Sequence, residues 1–202
     1  ELRCPKQLKP FEAIIGLRSV LVEEGRIERT LIEALESAYT HGNPWGRGRS
    51  KRLEWSEGLG FKLKHASEGF EWLYFVGCTP AYDMRAQEVA RALAILLHEA
   101  GLDFAVLGTE ETCCGNEIYS MGEKGLFEEL RGDNLAKFER YGVERIVTPC
   151  PHGFNALRNL YGGEVPNVLH HSQLLSALLD EGKLKPEKAL SLNVIYHDPC
   201  FL

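Results

Sequence analysis

No uninterrupted apolar stretch among the 202 residues approaches the ~20 needed to cross a bilayer, and no basic segment leads into an apolar core at the N-terminus. Neither a membrane span nor a secretory signal is expected, and the cytoplasm is the expected compartment. A basic surplus is missing as well: 23 Lys and Arg stand against 29 Asp and Glu, with a net charge of -6 and a pI near 5.7. Such a balance sets up no field to hold nucleic acid or an anionic membrane. With 44% hydrophobic and 26% charged residues, the composition excludes disorder and collagen and supports one core, or one and a half. The chain opens at Glu1 without a Met and stops at Leu202, just after a strand-like run, so both ends read as cut from a longer protein.

Cysteine is sparse, at positions 4, 78, 113, 114, 150 and 200. In a reducing compartment six such residues do not make a disulfide framework, and metal or redox chemistry rises in rank. Any one of them alone is better explained as a small buried hydrophobe. Position in the fold has to decide.

Residues Pro10 to Ser37 carry apolar side chains at helical spacing in two groups separated by Gly25, which predicts two amphipathic helices. From His41 to Arg52 the sequence turns to HGNPWGRGRSKR, a basic connector expected to be exposed, with Trp45 and Trp55 pinning it to the body. Residues 57–69 are Gly-rich and weakly patterned and predict no element. A regular alternation then begins. Trp72–Val76 reads as a strand ending at Gly77-Cys78, and Met84–Ala100 as a helix with Val89, Ala92, Leu93, Leu96 and Leu97 on its apolar face. Asp83 is its expected N-cap and Gly101 its C-cap. Phe104–Leu107 is a second strand followed by Cys113-Cys114-Gly115, and a helix spans Gly122–Tyr141, closed by Gly142. Arg145–Thr148 is a third strand that leads into Cys150-Pro151-His152 and a short helix. Val165–Leu169 and Leu174–Leu179 give a fourth strand and helix. Leu192–Tyr196 reads as a fifth strand, leading into His197-Asp198-Pro199-Cys200.

This alternation predicts an α/β fold: a parallel sheet of strand-helix units with right-handed crossovers, preceded by an α-helical segment. All strands then point one way. Cys78, Cys113-Cys114, Cys150 and Cys200 each follow the carboxyl end of a strand, the edge where open α/β sheets bind ligands. Core cysteines would have no reason to collect there. Converging thiolates bind zinc or an iron–sulfur cluster, both of which need soft, deprotonated sulfur. Zinc sites usually take cysteines in close pairs, whereas here 34 residues separate Cys78 from Cys113 and 35 separate Cys114 from Cys150. Vicinal Cys113 and Cys114 diverge too far for one tetrahedral ion but suit separate irons, which favours a cluster.

Gly77-Cys78, Cys113-Cys114-Gly115 and Cys150-Pro151-His152 together resemble the cysteine-rich CCG motif of the heterodisulfide reductase family, which includes iron–sulfur subunits of glycolate and lactate oxidases. The likeness is greatest to the catalytic subunits, in which the motif occurs twice. His197-Asp198-Pro199-Cys200 resembles the start of a second copy, Cys4-Pro5 the last ligand of a ferredoxin run, and Asn43–Gly46 the segment joining the two domain types. The resemblance implies three regions: residues 1–70 as the end of a ferredoxin-like domain plus a helical linker, 71–191 as a first CCG domain, and 192–202 as the start of a second. It also implies an oxidoreductase that relays electrons between a disulfide and a flavin-containing, quinone-linked or ferredoxin partner, associated with the membrane through a partner subunit. One departure matters, because Gly153 stands where the full motif has a second cysteine. A four-ligand [4Fe–4S] cluster on Cys78, Cys113, Cys114 and Cys150 is therefore expected in place of a fused noncubane one, with zinc as the alternative cofactor. Cys4 and Cys200 belong to neighbouring sites.

Other residues carry two readings each. His152 either replaces the missing thiolate or hydrogen-bonds a cluster sulfur. His197 with Asp198 either orients a cluster or supplies a proton, or else forms a turn and N-cap. Gly115 lets backbone approach the sulfur site, or makes a plain tight turn. His170-His171 reads as helix-start structure, since adjacent helical side chains do not share a face. Three other functions stand beside the heterodisulfide reductase-like relay: a zinc-stabilised docking module, metal-free dithiol chemistry at Cys113-Cys114, and, from the resemblance, the iron–sulfur subunit of a glycolate or lactate oxidase.

Overall fold

The computed structural model describes residues 5–6, 9–165 and 167–196; Cys4, His197, Asp198 and Cys200 lie outside them. Eight α-helices and five strands follow one another along the described residues. The helices are α1 (Pro10–Glu23), α2 (Arg29–His41), α3 (Cys78–Tyr82), α4 (Met84–Glu99), α5 (Asn116–Met121), α6 (Lys124–Tyr141), α7 (Pro151–Asn155) and α8 (His171–Asp180). The strands are β1 (Lys64–His65), β2 (Trp72–Tyr74), β3 (Phe104–Val106), β4 (Arg145–Thr148) and β5 (Asn167–His170).

All pairings are parallel, in the order β1-β3-β2-β4-β5. From β2 the chain steps to β3 on one side, crosses back to β4 on the other, and continues to β5. The direction of winding thus reverses around β2, and the loops that leave β3, β2 and β4 lie side by side at the carboxyl edge. Alternation along β2 sends Leu73 and Phe75 into one core and Tyr74 and Val76 into the other. The first core takes Phe127, Leu130 and Phe138 of α6 with Phe154 and Leu157 after β4. The second takes Ala90, Leu93, Ala94 and Leu97 of α4 with Leu174 and Leu178 of α8. Both faces of the sheet are covered, as a parallel sheet of such apolar strands requires.

Local chemistry sets the boundaries. Asp83 Oδ1 accepts from Arg85 N and Ala86 N at 3.1 and 2.9 Å, capping α4 as expected. The face that α4 buries is offset from the expected one: Ala90 and Ala94 are inside, while Val89 and Leu96 are exposed. The small residues let the helix sit close to the sheet, and the larger ones flank that contact. The helix expected from Gly122 to Tyr141 instead begins at Lys124, and Gly122 ends α5 in a left-handed turn. A Cβ at Gly122 would meet backbone atoms of Arg18 and Ser19 within 2.6 Å, so this glycine lets α1 dock on α5.

Two expectations fail, for the fifth strand and the connector, and the stretch 57–69 supplies an element of its own. The fifth strand is not at 192–196, which is irregular and exposed; among the described residues no strand pairs with it to complete its backbone hydrogen bonds. An edge strand appears in its place at Lys64–His65, in the stretch that predicted nothing. The connector is only partly exposed. Gly42, Asn43, Arg52 and Trp55 are buried, whereas Trp45 stays 44% exposed and does not pin the connector to the core.

The two edge strands end alike. His65 and His170 each accept at Nδ1 from a Ser hydroxyl two residues on, and each places Nε2 on the carbonyl oxygen of a neighbouring strand's exit, Leu107 at 3.2 Å and Pro149 at 3.3 Å. His170 and His171 are thus part of the start of α8. Burial depresses both imidazole pKa values, and His171, which also faces His170, is pushed down to about 4. The unfolded chain takes up these protons near pH ~6.5. Their stabilising contribution is therefore complete above that pH and is lost as pH falls toward 4. The urea midpoint should drop with acidification across this window, and His171→Gln should flatten the drop. A pH slope unchanged by that substitution would contradict the assignment.

Candidate functional site

Cys78 starts α3, Cys113 and Cys114 precede α5, and Cys150 precedes α7, so the three neighbouring strand exits bring four cysteines together. They line one cavity of about 220 Å³ with Gly77, Thr79, Glu117, His152, Pro44 and Trp45. Cys113 and Cys114 are buried, and Cys78 and Cys150 are half-buried. All four are free thiols. Among the described residues no three Cys, His, Asp or Glu side chains are grouped as a site for a metal ion; the thiols are spread along the cavity wall.

Two glycines permit this closeness. Gly77 has φ +83°, and a Cβ on it would stand 3.5 Å from that of Cys150, so the first and third cysteine loops nearly touch. Gly115, at φ +79°, places its N–H 3.4 Å from Cys113 Sγ. A Cβ there would strike the Phe127 ring at 2.7 Å. Close backbone approach to sulfur and a tight turn are thus both present at Gly115. At Gly153 a Cβ would meet Thr148 Oγ1 at 3.1 Å and Cys150 Cβ at 3.6 Å. The place of the missing second cysteine is filled by its neighbours.

In this geometry every thiol holds its proton more tightly than usual. Cys78 is raised by its hydrogen bond to Cys113 and then by burial. Cys113 is raised first by Cys114, and Cys114 by burial against the favourable bond from Cys113. At Cys150 burial outweighs the backbone N–H groups of Gly153 and His152 and pushes the thiol up to about 11. The residues suit a group that supplies strong positive charge and takes several thiolates at once. His152 Nδ1 pairs with Glu117 at the cavity wall. That contact raises the His152 pKa, and it holds Glu117 low although burial opposes ionisation. A carboxylate of this kind fixes an imidazole's tautomer and orientation, the usual arrangement around a metal centre.

Two supports were not apparent in the sequence. Glu111 is buried in the loop after β3. Its carboxylate accepts from Val76 N at 2.9 Å, Gly77 N at 2.8 Å and Arg52 Nη2 at 2.7 Å. Arg52, which reads as part of a solvated basic run, is 2% exposed and places Nη2 3.7 Å from Cys78 Sγ. The only sequence signal for this pair is one acidic residue two positions before Cys113. The second support is Asn134 of α6, fully buried, whose Nδ2 donates to Cys113 O and to Tyr161 Oη at 3.0 Å each. Tyr161 Oη in turn donates to Cys114 O at 3.2 Å. The connector closes the remaining side, where Cys113 N donates to Gly42 O at 2.7 Å.

Residues 72–158 match the cysteine-rich CCG domain. Over 98% of its length the chain is 38% identical to the EtfAB:quinone oxidoreductase of Syntrophomonas wolfei, covering 29% of that protein. It is 35% identical, over its full length, to the probable iron-sulfur-binding oxidoreductase FadF of Bacillus subtilis, covering 30% of it. To a subunit of the dihydromethanophenazine:CoB–CoM heterodisulfide reductase of Methanosarcina mazei it is 32% identical over 98% of the chain, covering 49% of that relative. The chain thus spans a third to a half of the length of these relatives. No solved structure is a significant match.

Gly115→Ala tests how the Cys113-Cys114 loop is held. A left-handed conformation costs a residue other than glycine about 1–3 kcal/mol, and the Phe127 contact adds to it. A loss of at least that size is expected in urea unfolding, and an unchanged midpoint would contradict the packing at this turn.

Proposed function

Residues 72–158 match the cysteine-rich CCG domain, and on that premise we propose that the chain is part of a heterodisulfide reductase-like iron–sulfur oxidoreductase subunit. In this reading Cys78, Cys113, Cys114 and Cys150 hold a [4Fe–4S] cluster, which supplies one-electron transfer when bound. The observation that carries it is the convergence of four free thiols from three adjacent strand exits on one cavity. That edge of a parallel sheet, where winding reverses, is where such folds bind their ligands. The relatives named as iron-sulfur-binding and as heterodisulfide reductase or quinone oxidoreductase support the same chemistry.

The protein's own part is positional. Gly77 brings the first and third cysteine loops together, Gly115 brings its N–H to the Cys113 sulfur, and Asn134 and Tyr161 fix the Cys113 and Cys114 carbonyls. His152, oriented by Glu117, supplies a hydrogen bond or a ligand at the cavity wall. The burial of the thiols and the N–H groups aimed at sulfur contribute to setting the potential. No general base is required for this task.

The larger protein extends this arrangement. Residues 1–70 are assigned to the end of a ferredoxin-like domain and a linker, 71–191 to the first CCG domain, and 192–202 to the start of a second. Cys4, Cys200 and His197 belong in that reading to neighbouring clusters. Electrons pass between a flavin-containing or quinone-linked partner and a disulfide. One relative is named a probable membrane-anchored ferredoxin, while no helix among the described residues is long and apolar enough to cross a membrane. In this reading membrane association comes through a partner subunit.

Metal and acid-labile sulfide analysis with EPR on anaerobically purified chain tests this reading. Iron and sulfide in equal amounts are expected, and Cys113→Ser should remove at least half of the iron. Stoichiometric zinc without sulfide would show a zinc-stabilised module, and iron unchanged in Cys113→Ser would overturn the ligand assignment.

A further inference from the structure

We propose that Arg52 is a positioning residue of the cluster site: its buried, permanent positive charge lies against the Cys78 sulfur and biases a bound cluster toward its reduced state. The inference rests on the cluster reading above. Three observations outside that reading point to it. Arg52 and Glu111 are each only 2% exposed, although the basic run around Arg52 is otherwise mostly at the surface. Nη2 is shared between Glu111 Oε1 at 2.7 Å and Cys78 Sγ at 3.7 Å. Nε and Nη1 are buried with no hydrogen-bond acceptor among the described residues, and the Tyr82 ring lies 5.7 Å from Cζ.

A buried donor left without an acceptor is costly, so a guanidinium that serves only to tie two loops together would be expected to have its N–H groups satisfied. Here the group is held by Glu111 on one side and turned to a cysteine sulfur on another. Its charge persists at every accessible pH. Burial weakens solvent screening of that charge at the sulfur. Reduction adds one electron and one negative charge to the site, with no bond made or broken in the protein. A fixed positive charge beside a ligand sulfur therefore stabilises the reduced form more than the oxidised one. Glu111 opposes this with its own negative charge, which two backbone N–H groups and Arg52 share.

The test is redox potentiometry, followed by visible absorption and EPR, on the chain loaded anaerobically with iron and sulfide and titrated with dithionite. Arg52→Lys keeps the charge and should leave the reduced-to-oxidised ratio at a given potential within about twofold of wild type. Glu111→Gln removes the opposing charge and should raise that ratio about tenfold, which is about 59 mV for one electron. Adding Arg52→Gln to Glu111→Gln should lower it about tenfold again. Should Glu111→Gln not fold, the double variant is compared with Arg52→Lys and is expected to be the harder to reduce. Equal potentials in all the variants that hold iron would reduce Arg52 to a structural tie and overturn the inference alone. A wild-type chain that takes up no iron would overturn the cluster reading and the inference together.

Discussion

The buried ion pair between Arg52 and Glu111 is the constraint on which the cysteine edge depends. Two charges withdrawn from water cost several kcal/mol each unless they satisfy one another and their remaining hydrogen-bonding capacity. Glu111 meets this demand with three donors, and those donors come from separate places in the chain: the connector, through Arg52, and the exit of β2, through Val76 and Gly77. One carboxylate thus ties the β3 loop, which carries Cys113 and Cys114, to the β2 loop, which carries Cys78. It also explains why the connector packs inward: Arg52 cannot reach solvent without leaving Glu111 buried and unpaired.

The other loops are tied by the same means, with neutral groups. Asn134 and Tyr161 hold the carbonyls of Cys113 and Cys114 from the α6 side. His65 and His170 brace the exits of β3 and β4 from the two edges of the sheet, each with Nδ1 on a Ser hydroxyl and Nε2 on a carbonyl. Every cysteine loop is therefore anchored through its backbone, and the thiols make only weak hydrogen bonds to one another and to Arg52, Gly42 and Gly115. Such a frame is preorganised for a soft, multiply charged ligand, and it keeps the sulfurs close without joining them by disulfides.

Much of this was legible in the sequence because it depends on period and punctuation. The strands β2, β3 and β4 announce themselves as short apolar runs, and the cysteines fall one strand-helix unit apart. Asp83, Gly101 and Gly142 mark helix ends by rules that need no tertiary context. The illegible parts are those that a partner element decides. Lys64–His65 becomes a strand only because β3 offers it an edge, while Leu192–Tyr196, with a better strand pattern, pairs with no strand among the described residues and stays irregular there. Arg52 looks like any other member of HGNPWGRGRSKR until Glu111, 59 residues on, draws it inside. Gly122 reads as the start of a helix, but the close approach of Arg18 and Ser19 makes it a break between two.

The central claim is that thiols from three loops share one polynuclear group. Iron-edge X-ray absorption on the anaerobically purified chain tests it most directly. A first shell made up mainly of sulfur, with iron scatterers beyond it, is the predicted result. A chain that carries zinc at its thiols with no iron, or iron ligated mainly by nitrogen and oxygen with no second iron nearby, would contradict it.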